Sequence, residues 1–362
     1  MTKRKEKKLV LGDGHVFHGL GFGADTQVVG EIIFNTSMVG YQEILSDPAY
    51  AGRIVVMTYP LIGQYGITDE DFESKAISLG GMVVRECCET PSNFRYTKTL
   101  SEELEERGIP CLSGPDTRMI TRIIRDNGPM QAAIVDEEMS DEEALALVRN
   151  GAPAVTAADV SCTKRWFSRT PHHSYDVVAI DCGIKHSVIT ALNDRGCNVT
   201  IMPYRSTVEE VLAFNPDGIL ISNGPGGPDS LPEVVNLINS VKGRLPVFGI
   251  CLGQELIALS YGAKVVRLKS GHYGGHPVKD LSTGKITAVE HNHSYAVDAA
   301  SLEGTPLEVT HLDVADGCIE GIECVKDRVF AVHFYPEGAP GPQETLTLFD
   351  KFIKLMEDNR NA

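Results

Sequence analysis

From residue 176 onward the chain alternates short apolar runs with stretches of helical spacing. Asp176–Asp181, Asn198–Pro203, Asp217–Ser222 and Pro246–Ile250 read as strands, rich in Val, Ile and Leu. Between and after them, Ile184–Arg195, Val208–Phe214, Pro232–Val241 and Leu252–Tyr261 repeat their apolar residues at helical period. Strands of this kind alternating with helices predict a parallel, doubly wound sheet. Ligands of such sheets gather beyond the carboxyl ends of the strands. Further on, Val329–Phe334 reads as a strand. An amphipathic helix is expected over Gln343–Met356, with Leu346, Phe349, Ile353 and Met356 on one face.

The first half is patterned differently. Glycines and turn residues break it into short strands such as Val28–Asn35 and Arg53–Thr58. One helix is expected from an Asp116 N-cap through Ile124, stopped near Gly128, and an acidic one over Asp141–Asn150. Gly151–Ser174 is rich in Ala, Ser, Thr and Pro and reads as a connector. The expected organisation is α/β throughout: a mixed α/β domain over 1–150, a linker over 151–175 and a doubly wound domain over 176–362.

Composition narrows the function classes. A length of 362 residues suits two domains, and 42% hydrophobic with 23% charged residues is ordinary for a globular protein. The longest apolar runs fall far short of the roughly 18 residues a membrane span needs. The basic start, Met1 to Lys8, is followed only by Leu9-Val10-Leu11 before Gly12, too little for a secretory signal, and reads as a solvated tail. A net charge of −16 opposes non-specific nucleic-acid binding. The nine cysteines are odd in number and contain no C-x-x-C pair, which argues for reduced thiols in a cytoplasm.

One cysteine has a chemical context. Pro246–Ile250, a buried strand, runs into Gly249-Ile250-Cys251-Leu252-Gly253 and then a helix. With Ser in place of Cys, strand, G-x-C-x-G and helix form the nucleophile turn of α/β hydrolases. Such a turn lifts the sulfur above the sheet edge and sets it at a helix N-terminus, which favours thiolate. It also aims the N–H of Leu252 at the place where an oxyanion would form. A second loop, Ser222-Asn223-Gly224-Pro225-Gly226-Gly227-Pro228, follows a neighbouring strand. Its glycines expose N–H groups able to complete that hole or contact a substrate. Tyr335-Pro336-Glu337 follows the strand Val329–Phe334 and is placed to reach Cys251.

Taken in order, the G-P-G-x-P loop, G-I-C-L-G and x-P-E resemble the class I glutamine amidotransferases. The chain is more closely similar to the small-subunit family of carbamoyl-phosphate synthetase, on Gly30-Glu31, Phe34 to Pro48, Thr58-Tyr59-Pro60, Ser92 to Arg95, Asp116-Thr117-Arg118, Thr121-Arg122, Pro277 to Asp280, Ala296-Val297-Asp298 and Pro340-Gly341-Pro342. The resemblance implies a small-subunit domain followed by a class I glutamine amidotransferase domain. It implies that cysteine attacks the carboxamide of glutamine, a histidine oriented by glutamate moves the protons, and a glutamyl thioester is hydrolysed. Ammonia then passes to a large subunit that uses ATP and Mg²⁺, and the carbamoyl phosphate feeds arginine or pyrimidine biosynthesis. The nucleophile falls on Cys251 and the orienting carboxylate on Glu337. Substrate contacts fall on Ala49, Gly224, Gly226, Leu252, Glu255, Asn292, Ser294 and Tyr295. The expectation is a cytoplasmic heterodimer with glutamine as substrate, no cofactor of its own, and neither nucleic acid nor membrane as partner.

The pattern departs from the family around this site. The family's H-P-E is Tyr335-Pro336-Glu337, and a phenol with a pKa of about 10 is a poor base. Losing a general base costs on the order of 10²–10⁴ in rate. The family's C-L-G-H-Q is Cys251-Leu252-Gly253-Gln254-Glu255; an ionised Glu255 on the same helix face would oppose thiolate formation. Ala49 stands where the family has Ser and Ser294 where it has Gly, and the segment Gly271 to Pro277 is one residue shorter. His333, two residues before Tyr335, would share its face of a strand about 7 Å away and is a candidate substitute base. His291 and His293 form an H-x-H pair near His272 and His276, a spacing that recurs in metal ligation. No carboxylate spacing accompanies it, and no metal is expected. A glutaminase-deficient scaffold supporting ammonia-dependent synthesis and a hydrolase of another amide or ester are the rival expectations.

Overall fold

The computed structural model describes residues 4–361, and the chain divides into two compact units: residues 1–154 with 269–273, and 155–268 with 274–362.

In the first unit a closed barrel runs in the order Glu6–Leu11, Val16–Gly23, Pro110–Ser113, Gly81–Val84, Ile54–Met57, Val28–Asn35 and Met130–Asp136. Closure removes the strand edges that the short, glycine-broken runs would otherwise expose. The barrel mixes directions: Val28–Asn35 is parallel to Ile54–Met57 and antiparallel to Met130–Asp136. Leu9, Leu11, Ile32, Val55, Val83 and Leu112 meet in its core. The helix Thr117–Asn127 is capped as the sequence indicates, with the Asp116 side chain accepting from Met119 N at 2.9 Å and Gly128 closing it at φ 91°.

The basic start is not a solvated tail. Residues 1–3 lie outside the described residues, but Glu6–Leu11 is a barrel strand with Lys7 and Lys8 buried. Lys7 Nζ donates to Asp136 at 2.8 Å and Lys8 Nζ to Asp141 at 2.5 Å. The aliphatic stems cover the barrel while the ammonium groups reach carboxylates at its rim. The Lys7 ammonium in turn holds the Asp136 carboxyl below its ordinary range.

The second unit is built on a ten-stranded sheet. Its parallel core orders Cys197–Pro203, Tyr175–Asp181, Gly218–Ile221, Val247–Ile250 and Val329–Val332. Numbered along the chain this is 2-1-3-4-5, a doubly wound order with its reversal between Tyr175–Asp181 and Gly218–Ile221. The sheet continues through Ile319–Cys324, Glu308–Asp313, Val265–Asp280 and Ile286–Val297, all of which follow the last helix read from the pattern before 329. The region 151–175 is not a plain connector. It holds the helix Ala157–Val160 and the strand Trp166–Ser168, which pairs with Cys197–Pro203 at the sheet edge. The closing helix is Thr347–Arg360, whose Phe349, Phe352 and Met356 are fully buried. No helix among the described residues is long and apolar enough to cross a membrane.

Candidate active site

The strands Val247–Ile250 and Val329–Val332 are parallel neighbours, with Ile250 level with Val332. Cys251 follows directly, and its N–H donates to Val332 O at 2.8 Å. The residue is the N-cap of Leu252–Ser260 and is twisted to φ 53° and ψ −109°. A non-glycine residue held at positive φ costs of order 1–3 kcal/mol, which the surrounding packing must impose. Here that packing is visible. A Cβ on Gly253 would lie 2.3 Å from Ile221 O, and one on Gly249 would lie 2.6 Å from Ile257. Glycines at both places let helix and strand close on the cysteine. The thiol is almost fully buried and donates to the carbonyl of Asn292 at 3.5 Å.

The Gly-rich loop stands at the end of Gly218–Ile221. Gly224 is pressed against the preceding strand end, since a Cβ there would meet Cys182 O at 1.9 Å. Gly226 has φ 87°, and the Tyr295 ring lies over Gly227. Asn292 and Ser294 are buried on the strand Ile286–Val297. Ala49 lies in the first unit, buried in the turn Pro48–Tyr50, its N–H donating to Asp47 Oδ1 at 2.9 Å.

Tyr335, Glu337 and His333 are arranged otherwise than the sequence led one to expect. The strand ends at Val332 and not Phe334, so His333 and Tyr335 do not share a strand face. Tyr335 is buried in the apolar cluster that contains Cys251, Val332 and Phe334. The ammonium of Lys185 lies 4.2 Å from the centre of its ring. That same Nζ donates to Glu337 Oε1 at 2.6 Å, with both side chains fully enclosed, and to the carbonyl of Ala339. Glu337 therefore holds a lysine where the family resemblance implies an orienting partner for histidine. Sequence reading missed Lys185. Its one signal is a lysine set in the otherwise apolar Cys182-Gly183-Ile184, just past the strand end at the sheet's reversal.

His333 turns to Glu255, with Nε2 and Oε1 3.1 Å apart, and stacks on His293 with centroids 3.6 Å and planes 22° apart. Burial, then the charge of Asp229, pushes the Glu255 carboxyl well above the usual carboxylate range. The neutral acid is thereby favoured, and the charge that would have opposed a thiolate is suppressed. Beyond His293 lie His291 and Glu320, with His291 Nε2 at 2.9 Å from Glu320 Oε2 and His293 Nε2 at 3.5 Å from Glu320 Oε1. Glu320 is the carboxylate that the sequence did not place beside the H-x-H pair. His276 instead pairs with Asp313 at 3.0 Å, and His272 belongs to the first unit.

The remaining thiols differ from Cys251 in setting. None of the nine cysteines forms a disulfide, and burial pushes the thiols of Cys87, Cys111, Cys182 and Cys197 up. They lie in strands or packed turns, whereas Cys251 alone among them occupies a positive-φ strand-to-helix corner.

Comparison with known families matches residues 9–134 to the carbamoyl-phosphate synthase small chain domain and 178–355 to class I glutamine amidotransferase. A carbamoyl phosphate synthase small chain from Bacillus caldolyticus is 46% identical over 98% of this chain and 97% of its own. The chain belongs to the carbamoyl-phosphate synthase small-chain family. A small chain from Fusobacterium nucleatum is also 46% identical, over 98% of this chain and 99% of its own. A small chain named pyrimidine-specific, from Halalkalibacterium halodurans, is 44% identical over 98% of each. Membership of the carbamoyl-phosphate synthase small-chain family thus spans both units. The second unit carries the glutamine amidotransferase domain, with Cys251 at its strand-to-helix corner.

Proposed function

We propose that this chain is the glutamine-handling small subunit of a cytoplasmic, heterodimeric carbamoyl-phosphate synthetase, and that Cys251 is its nucleophile. The observation that carries this reading is the backbone of Cys251, forced to φ 53° between a buried strand and a helix N-terminus. The thiolate attacks the carboxamide carbon of glutamine. Leu252 N–H and the amides of the Gly224–Gly226 loop take the oxyanion, ammonia leaves, and water hydrolyses the thioester. Asn292, Ser294 and Tyr295 are the proposed substrate contacts. Nothing in this chemistry asks for a cofactor; ATP and Mg²⁺ belong to the large subunit's steps.

With a phenol at position 335 the thiol lacks an efficient base, and His333 is engaged with Glu255. A cysteine thiolate is intrinsically a strong nucleophile, and on this reading hydrolysis is slow and not abolished. One observation favours a second reading: Tyr335 is buried under the Lys185 ammonium, and Glu337 is spent on that lysine. On that reading the chain is a scaffold for ammonia-dependent synthesis. Carbamoyl phosphate formation driven by glutamine and by ammonia, in the complex with wild type or Cys251→Ser, separates the two. The enzyme reading expects a glutamine-driven rate that Cys251→Ser removes while the ammonia-driven rate persists; absence of any glutamine-driven rate in wild type rejects it.

A further inference from the structure

We propose that His291, His293 and Glu320 form a buried structural site for a divalent transition-metal ion, zinc being the best fit. Residues 291 and 293 are two apart on the strand Ile286–Val297 and so project to one side of it. Glu320 reaches them from the strand Ile319–Cys324, and all three side chains are closed off from solvent. Each offers a ligand atom within 4.8 Å of the others.

The tautomer of His293 decides what the cluster can hold. Its Nδ1 lies 2.8 Å from the carbonyl of Tyr295. A carbonyl only accepts, so Nδ1 carries the proton. In the neutral ring Nε2 is then a lone pair, and it faces Glu320 Oε1 at 3.5 Å. Two lone-pair groups converging at that distance are the donor set that a divalent cation takes. A histidine that donates Nδ1–H to a backbone carbonyl and presents Nε2 inward is also the usual arrangement of a metal-ligating imidazole.

The spacing fits. Bonds of about 2.0–2.2 Å in a tetrahedral shell put ligand atoms about 3.4 Å apart. The His293–Glu320 separation already matches, and the His291–Glu320 pair at 2.9 Å needs to open by only a few tenths of an ångström. Two imidazoles and one carboxylate suit a borderline divalent ion and suit magnesium or calcium poorly. Asn292, whose carbonyl receives the Cys251 thiol, lies between the two histidines in sequence. An ion here would therefore pin the strand that frames the cysteine without taking part in its chemistry. The site stands independently of the glutaminase reading.

The test strips the full-length chain with chelator and titrates it with Zn²⁺ alone, following heat and metal content after gel filtration. One equivalent per chain is expected, with a raised melting temperature. His291→Asn and Glu320→Gln should each weaken binding by more than the roughly 10–100-fold that loss of an outer-shell partner costs. Co²⁺ should give visible d–d bands with no thiolate-to-metal charge transfer. Failure of the wild type to retain stoichiometric metal overturns the site whatever the variants do, and a proton then fills the same place. A thiolate band, or unchanged affinity in a folded variant, overturns it as well.

Discussion

Glu337 and Lys185 form a fully buried ion pair, Oε1 to Nζ 2.6 Å, at the place where the family resemblance implies a carboxylate steering a histidine. Breaking one side of such a pair strands a charge, which costs about 3–5 kcal/mol. Lys185→Met and Glu337→Gln are each expected to lose stability on that scale in urea unfolding. The double variant Lys185→Met/Glu337→Leu should lose much less than the sum. Additive losses would show that the two groups do not depend on each other.

Tyr335→His supplies an imidazole beside the Lys185 ammonium, now 4.2 Å from the phenol ring centre. A neighbouring cation lowers the imidazole pKa and keeps it neutral, as a base must be. Glutamine hydrolysis in the complex is expected to rise toward the order of 10² fold, the lower end of what a positioned base contributes. An unchanged rate would mean that proton removal does not limit the step.

Glu255 gives a pH signature. Its carboxyl is raised well above 4.5 by burial, so the folded chain holds a proton that the unfolded chain releases. That contribution to stability is fully present below the unfolded pKa and is lost as pH rises through the folded one. Glu255→Gln keeps a neutral group at every pH. Its melting temperature should gain on the wild type as pH climbs from about 4.5, the ordinary glutamate value. Parallel melting curves across that range would remove the claim.

The glycines around the cysteine make a steric prediction. Gly253→Ala and Gly224→Ala would put a Cβ 2.3 Å from Ile221 O and 1.9 Å from Cys182 O, both backbone atoms with no room to yield. Each is expected to cost at least about 3 kcal/mol, the upper end of the range typical of overpacking. Gly275→Ala meets nothing within 4 Å and should stay within about 0.5 kcal/mol of wild type.

The parallel core was legible because its strands are short apolar runs and its helices keep one period; Pro232–Val241 and Asp141–Asn150 end where their pattern does. The cysteine corner was legible for the same reason, since the strand, the two glycines and the helix are contiguous in sequence. What could not be read is what the fold brings in from afar. Lys185 and Glu337 are 152 residues apart, and His291 and Glu320 are 29 apart on different strands. Lys7 and Lys8 looked like a solvated tail because alternation along one strand does not show which carboxylates wait at a barrel rim. The shared strand face expected for His333 and Tyr335 was not readable because the strand ends early, at Val332.

Bond formation at the sulfur of Cys251 is observed directly by acid-quench mass spectrometry of the intact complex turning over glutamine. A glutamyl adduct on the peptide containing Cys251, absent in Cys251→Ser, is the predicted result. Glutamine-driven synthesis with no adduct in wild type and full retention in Cys251→Ser would contradict it.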